Sequence, residues 1–311
     1  MPATDQPRSV LSAIPDLWKS EIQETTPLAE AVDRPLGPDL PVDATRTWVG
    51  TASMVTYYVI HAGCLLAFYT GVSTTDIALC LGSYYLRLCG ITAGYHRYFS
   101  HKAYKTSRAF QFVLAFLGCS AIQKGPLWWA AAHRRHHRYA DRSGDVHSPR
   151  EGFYWSHQGW IFDGRWDVTE IDRIRDFAAY PELVRLNHWH ALPPLVLAGI
   201  CYAIGGFSGV VWGVAISTTL LWHTTYTINS LAHRWGTRRY DTPDDSRNNW
   251  FLALLTLGEG WHNNHHRYMG SVRQGFFWWE IDVTYYVLRG LEKLGLVWDL
   301  REPPAELVEG R

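Results

Sequence analysis

Nine histidines fall into four groups along the chain: His96 and His101, then His133, His136 and His137, then His233, then His262, His265 and His266. Imidazole serves as acid, base or metal ligand, and clusters of this size point to metal. In the second and fourth groups the spacing i, i+3, i+4 puts three rings on one helical face, within reach of a common centre. His96 and His101 stand about 140° apart on a regular helix, so either each serves a different metal or the helix ends between them. Nine imidazoles exceed what one ion holds, which implies two metals. No cysteine lies near them, whereas structural zinc usually includes thiolate, so redox iron working on O2 is the better fit.

The elements that must carry these groups are apolar helices. From Thr47 to Thr75 there is no Asp, Glu, Lys or Arg, and about 20 residues of helix cross the hydrocarbon core of a bilayer. A second apolar stretch, Asp76 to Tyr95, holds one interior charge, Arg87, which must face protein or an interface. Between Arg185 and Arg234 no charged residue appears, and Gly205, Gly206 and Gly209 interrupt the run, the pattern of a two-span hairpin. The uncharged segment Ala109–Gln123 is too short to cross and reads as an interfacial or buried helix.

The expected fold is therefore all-α: an integral, multi-pass membrane protein with four transmembrane helices and a cytoplasmic helical cap holding a histidine-ligated dimetal centre. An even count puts both termini on the side of the Arg-, Lys- and His-rich segments 124–185 and 234–311, which the positive-inside rule makes cytoplasmic. The expected organisation is a polar, partly disordered segment 1–46, a membrane domain 47–302 and a tail 303–311. The opening MPATDQPRSV lacks the pattern of a secretory signal.

Composition narrows the partners. Basic and acidic residues number 29 each, so the net charge is zero and nucleic acid is excluded as an expected partner. Cys64, Cys80, Cys89, Cys119 and Cys201 all sit in apolar stretches without CxxC spacing and read as buried thiols. A lipid bilayer is the expected surroundings.

The phrases GITAGYHRYFSH (90–101), AHRRHHRYAD (132–141), HSPREGFYWSHQGW (147–160), NSLAHRWG (229–236) and GEGWHNNHH (258–266) resemble the membrane fatty-acid desaturases, and within them the acyl-CoA (stearoyl-CoA) delta-9 type. The resemblance runs from about Tyr58 to Phe276. It implies that His96, His101, His133, His136, His137, His233, His262, His265 and His266 bind two iron ions (Fe2+/Fe3+), with Asn229 holding a metal-bound water. It implies an O2-dependent reaction that introduces a cis double bond into a long acyl chain. Asp145 and Glu259, beside the boxes, are candidates to orient ring N–H groups.

The resemblance also implies an apolar tunnel bent at the metals, involving Gln123, Trp129 and Thr225, with Tyr226 where the family has Trp and Tyr84 closing the far end. Two departures concern the head group. Ala131-Ala132 stand where acyl-CoA enzymes of the family carry Arg-Asp, and Glu151 replaces a basic residue. Both remove charge that would grip an anionic nucleotide, so acyl carrier protein or a glycerolipid stands beside acyl-CoA as a possible carrier of the chain. No haem-binding HPGG and no GxGxxG after a strand is present. Electrons are expected from a cytochrome b5-type or ferredoxin donor with its reductase, for which Arg134, Arg135, Arg138 and Arg142 offer a docking patch. The alternatives are a di-iron membrane hydroxylase or alkane monooxygenase and, outside enzymes, a membrane metal carrier.

Overall fold

A computed structural model describes residues 44–308. Almost all of the segment 1–46 and the end of the tail lie outside the described residues. Helix α1 (Ala44–Cys64) is followed by α2 (Thr74–Cys89). Ser73 starts α2 by a reciprocal cap. Its hydroxyl accepts from the Asp76 N–H at 3.2 Å, and its own N–H donates to the Asp76 carboxylate at 2.9 Å. The interior charge of α2 is solvated by uncharged acceptors: Arg87, 1% exposed, donates to the Thr218 and Ser217 hydroxyls at 2.6 Å and to the Ser83 and Ser120 carbonyls.

At Gly90 the helix widens into a π-helix, Gly90–Ser100. A side chain at Gly90 would lie 2.7 Å from the backbone of Leu117, so glycine lets this wide turn press on α3 (Arg108–Cys119). Helix α3 lies half-buried, as expected of the short apolar segment. Helix α4 (Pro126–Tyr139) opens on proline, and its free N–H groups at Leu127 and Trp128 donate to the Asn187 side chain of α5 (Pro181–His188) at 3.1 and 2.9 Å.

Three helical runs are long and apolar enough to cross a membrane: 50–70, 74–100 and 192–233. The third spans 42 residues, about 63 Å if straight and twice the hydrocarbon thickness. It is not straight. Helix α6 (Leu192–Val210) breaks at Gly206, whose φ of 59° and ψ of −149° only glycine adopts readily. The chain then folds back: side chains at Gly209 and Gly213 would fall 2.4 and 2.6 Å from Cys201. This is the hairpin read from the glycines, with its return arm formed by a π-turn (Val211–Ile216) and α7 (Ser217–Ser230).

The cap is built from α4, α5 and the short helices α8 (Trp250–Leu255), α9 (His262–Arg267) and α10 (Val283–Lys293). Among the described residues the exceptions to helical structure are one antiparallel pair, Lys105–Thr106 with Val297–Trp298, and two isolated bridges that join Asn248 to Thr237 and to Trp261. The core packs Tyr95, Phe99, Tyr104, Leu114, Leu127 and Phe177 beneath the histidines.

Candidate metal centre and adjoining cavity

The structure gathers the nine histidines into two groups whose nitrogens lie within 4.8 Å of one another: His96, His101, His133, His137 and His265 in one, and His136, His233, His262 and His266 in the other. The expectation that each box presents three rings to one centre is thereby corrected. On α4 the pair four apart, His133 and His137, joins the first group while His136 joins the second. On α9 His262 and His266 join the second and His265 the first. Rings at i and i+4 are nearly aligned and i+3 is offset, so one helix serves two centres.

His96 and His101 share a group, with ring centroids 4.9 Å apart. The angle of about 140° assumed an α-helix. In the π-helix the His101 N–H reaches back to the His96 carbonyl, five residues earlier, at 3.3 Å, so residues five apart lie one above the other.

Four ring N–H groups are held by buried carboxylates. His136 Nδ1 meets Asp145 at 2.9 Å, His233 Nδ1 meets Asp141 at 2.9 Å, His266 Nδ1 meets Asp244 at 2.9 Å, and His96 Nδ1 meets Glu259. An Nδ1–H donating to a carboxylate leaves the Nε2 lone pair pointing inward. Asp145 and Glu259 were expected in this role. Asp141 and Asp244 were missed. Asp141 follows the second box in the sequence but lies in left-handed backbone, φ 57°, and Asp244 lies in a loop with no spacing that marks it.

The residues present fit a metal. His136 Nε2 and His266 Nε2 are buried without hydrogen-bond partners among the described residues. In the first group all the close contacts join Nε2 to Nε2, at 2.9–3.0 Å between His101 and His133, His133 and His137, His137 and His265, and His265 and His96. Inward lone pairs at this separation repel unless a cation lies between them. Burial, reinforced by neighbouring imidazoles, holds His101, His133, His137, His262 and His265 well below the usual histidine range, which keeps them neutral and able to ligate. Against burial, His96 and Arg97 draw Glu259 down to about 2. The same balance, with His136 and His266 as the partners, holds Asp145 and Asp244 ionised.

Beside the first group lies a cavity of about 50 Å3, partly open to solvent, lined by Gln123, Trp129, His133, Thr225, Tyr226 and Asn229, with Trp128, Ala132, Val146, His147 and Trp160 around them. Gln123 donates to Thr225 Oγ1 at 2.9 Å and accepts from the Trp129 indole at 3.3 Å. Its loop is strained to aim it: Ile122 and Lys124 on either side have φ of 57° and 61°. Trp129 stacks on His133 at 5.0 Å. Tyr84 is not among the lining residues; its hydroxyl donates to Thr224 and the Leu255 carbonyl at 3.1 and 3.2 Å, one residue from Thr225.

The lining has no Lys, Arg, Asp or Glu. Ala132 lines it at a position where the resemblance implies charge. Of the four arginines in the expected docking patch, Arg135 is buried against Glu170, and Arg134 is held by Asp176 and three backbone carbonyls. Arg138 and Arg142 are exposed. The patch is smaller than the sequence suggested, because cap helices recruit two of its cations.

Comparison with known proteins agrees with this geometry. The Acyl-CoA C20 Delta5-desaturase of Anemone leveillei is 36% identical over 306 residues, covering 93% of this chain and 96% of its own. The sn-2 palmitoyl-lipid 9-desaturase of Nostoc sp. is 40% identical over 67% of this chain and 74% of its own, and the Delta-9 acyl-lipid desaturase 1 of Arabidopsis thaliana is 38% identical over 78% and 81%. Residues 75–297 match the fatty acid desaturase family, and with the two imidazole groups inside that span, the chain belongs to the fatty acid desaturases, membrane oxidoreductases of lipid metabolism.

Proposed function

We propose that this desaturase introduces a cis double bond at the delta-9 position of a long-chain acyl group, with acyl-CoA as the carrier favoured by the sequence phrases. The observation carrying the regiochemical reading is the Gln123, Thr225 and Trp129 contact, which sits beside His133 and constricts the cavity next to the first imidazole group. An acyl chain threaded there presents only one short stretch of methylenes to the centre.

The two groups would hold two iron ions, with Asn229 positioned in the cavity wall for a metal-bound water. When bound, they supply the oxidising power that no side-chain acid or base has against an unactivated C–H bond. The chain's own residues position the substrate in the uncharged cavity and keep the imidazoles neutral. The hairpin turn at Gly206 supports four membrane passes with both termini and the metal centre on the cytoplasmic side. Arg138 and Arg142 remain as the docking cations for a cytochrome b5-type or ferredoxin donor.

A second reading of the carrier, an acyl-lipid, is favoured by the uncharged lining and by Lys124, Arg150 and Arg165 being paired to Asp167, Asp245 and Asp163. Purified enzyme given an electron donor and either stearoyl-CoA or stearoyl phospholipid separates the two: turnover of the thioester alone supports acyl-CoA, and preference for the phospholipid reverses it. The reaction itself is tested by fatty-acid profiles of cells expressing the protein or His137→Ala. New delta-9 monounsaturated chains that vanish in the variant are expected; hydroxylated chains would overturn the reading.

A further inference from the structure

Helix α8 of the cap turns an apolar face outward. Its residues Trp250, Phe251, Leu254 and Leu255 are exposed, Trp250 at 66%, while Leu252 and Ala253 between them are buried. Positions i, i+1, i+4 and i+5 form one side of a helix. The Phe251 ring lies 6.1 Å from that of Trp250 and 6.2 Å from that of Trp235, which is itself half exposed, so the surface extends onto the segment that precedes α8. From Asn248 to Gly258 there is no Asp, Glu, Lys or Arg.

The place of this face in the fold says what covers it. The Leu255 carbonyl accepts from the Tyr84 hydroxyl at 3.2 Å, and the same hydroxyl lies 3.1 Å from that of Thr224 on α7. Tyr84 belongs to the run 74–100 and Thr224 to the run 192–233, both long and apolar enough to cross a membrane. Tyr84 stands ten residues beyond Thr74 in α2, a rise of about 15 Å against a hydrocarbon thickness of about 30 Å. The end of α8 thus meets the span inside the hydrocarbon layer and not above it. Leu81, Tyr85 and Leu86 of α2 are exposed as well, so the face of α8 continues the surface that a membrane-crossing helix turns to lipid.

The backbone of α8 is finished as an apolar solvent requires, since in hydrocarbon an unpaired N–H or C=O has no water to turn to. The Asn249 side chain accepts from the N–H groups of Phe251 and Leu252 at 3.0 and 3.1 Å. At the other end the Thr256 N–H and hydroxyl donate to the Leu252 carbonyl, and the Gly258 N–H to that of Ala253. A span supplies the last cap, through Tyr84 on Leu255.

We propose that α8 is immersed in the bilayer leaflet on the side of the metal centre, with Leu254 and Leu255 among the lipid acyl chains and Trp250 and Trp235 nearer the headgroups, where indole rings partition. The cap is then held in the membrane by a helix that does not cross it, in addition to the runs that do. The inference rests on the membrane setting of the chain and stands apart from the reaction assigned to it.

The test places one nitroxide at a time on Trp250→Cys, Leu254→Cys and, as a solution-facing reference, Asp241→Cys, whose native side chain is fully exposed. Each purified variant is held at one copy per phosphatidylcholine nanodisc, and the signal of identically treated wild type is subtracted to remove the native cysteines. Power saturation reads collision with O2, which concentrates in lipid, and with a water-soluble nickel chelate. At Leu254 oxygen collision is expected to exceed nickel collision several-fold and at Trp250 by less, while at Asp241 the order reverses. The two α8 positions are read independently, so either folded variant decides. Nickel collision on α8 equal to that at Asp241 would overturn the immersion by placing the helix in water. Protection from both reagents would overturn it as well, by showing that another part of the chain covers the face.

Discussion

The two imidazole groups are built differently although they share two helices. In the group of four, three rings are held through Nδ1 by buried aspartates: His136, His233 and His266. In the group of five, among the described residues, only His96 meets a carboxylate, Glu259, while the other rings touch each other and His133 stacks on Trp129. Carboxylates behind a ligand raise its basicity and fix its ring. The group of four is therefore the more anionic and preorganised centre. The group of five contributes His133 to the cavity.

Removing an inward nitrogen breaks the comparison most severely. His137→Ala and His266→Ala are each expected to abolish olefin formation in whole cells, measured by gas chromatography of fatty-acid esters. Survival of activity in only one variant would mean that one group suffices. The supporting carboxylates come next. Asp244→Asn is expected to weaken metal binding by about 10- to 100-fold, read as metal per chain after dialysis against a chelator. Glu259→Gln is expected to cost less metal, because Gln274, whose amide nitrogen lies 3.2 Å from His96 Nδ1 and whose amide oxygen is buried without a partner among the described residues, can turn that oxygen to accept from the ring N–H.

Glu259 has a second expected signature, in pH. Its folded value is depressed from 4.5 to about 2, so the stabilisation it contributes is complete above the unfolded value and is lost as pH falls toward 2. Wild type is thus expected to lose thermal stability between about pH 4.5 and 2 more steeply than Glu259→Gln. Parallel melting curves would show that this carboxylate is not coupled to His96 and Arg97.

The sequence exposes ligands more readily than what holds them. The nine histidines are legible because boxes at i, i+3, i+4 are dense and local. Their division between two centres is not, since it depends on the width of the π-helix at Gly90–Ser100 and on the offset of His136 and His265 within their helices. The hairpin at Gly206 is legible from glycines in an uncharged run. Asp141 and Asp244 are not, because loops bring them to His233 and His266 from 92 and 22 residues away. The contact of His61, His223 and His157 is hidden for the same reason: the three share no spacing and meet only when α1, α7 and the short helix Phe153–His157 pack together.

The smallest expected effect lies on the cavity side of the comparison. Thr225→Val removes the hydroxyl that accepts from Gln123, a contact of about 1 kcal/mol, and leaves the Trp129 indole as the remaining side-chain partner recorded for that amide. Ile122 and Lys124 store backbone strain that aims Gln123, so releasing its anchor lets the loop relax. Neither imidazole group loses a contact, and metal content is expected to match wild type. What changes is the position of the chain against His133: double-bond location by derivatisation and mass spectrometry is expected to spread to a neighbouring carbon pair, with total turnover reduced only a few-fold, in keeping with about 1 kcal/mol. An unchanged, single double-bond position would show that regiochemistry is set elsewhere along the cavity. It would then fall to Tyr226, whose ring is buried in the same wall.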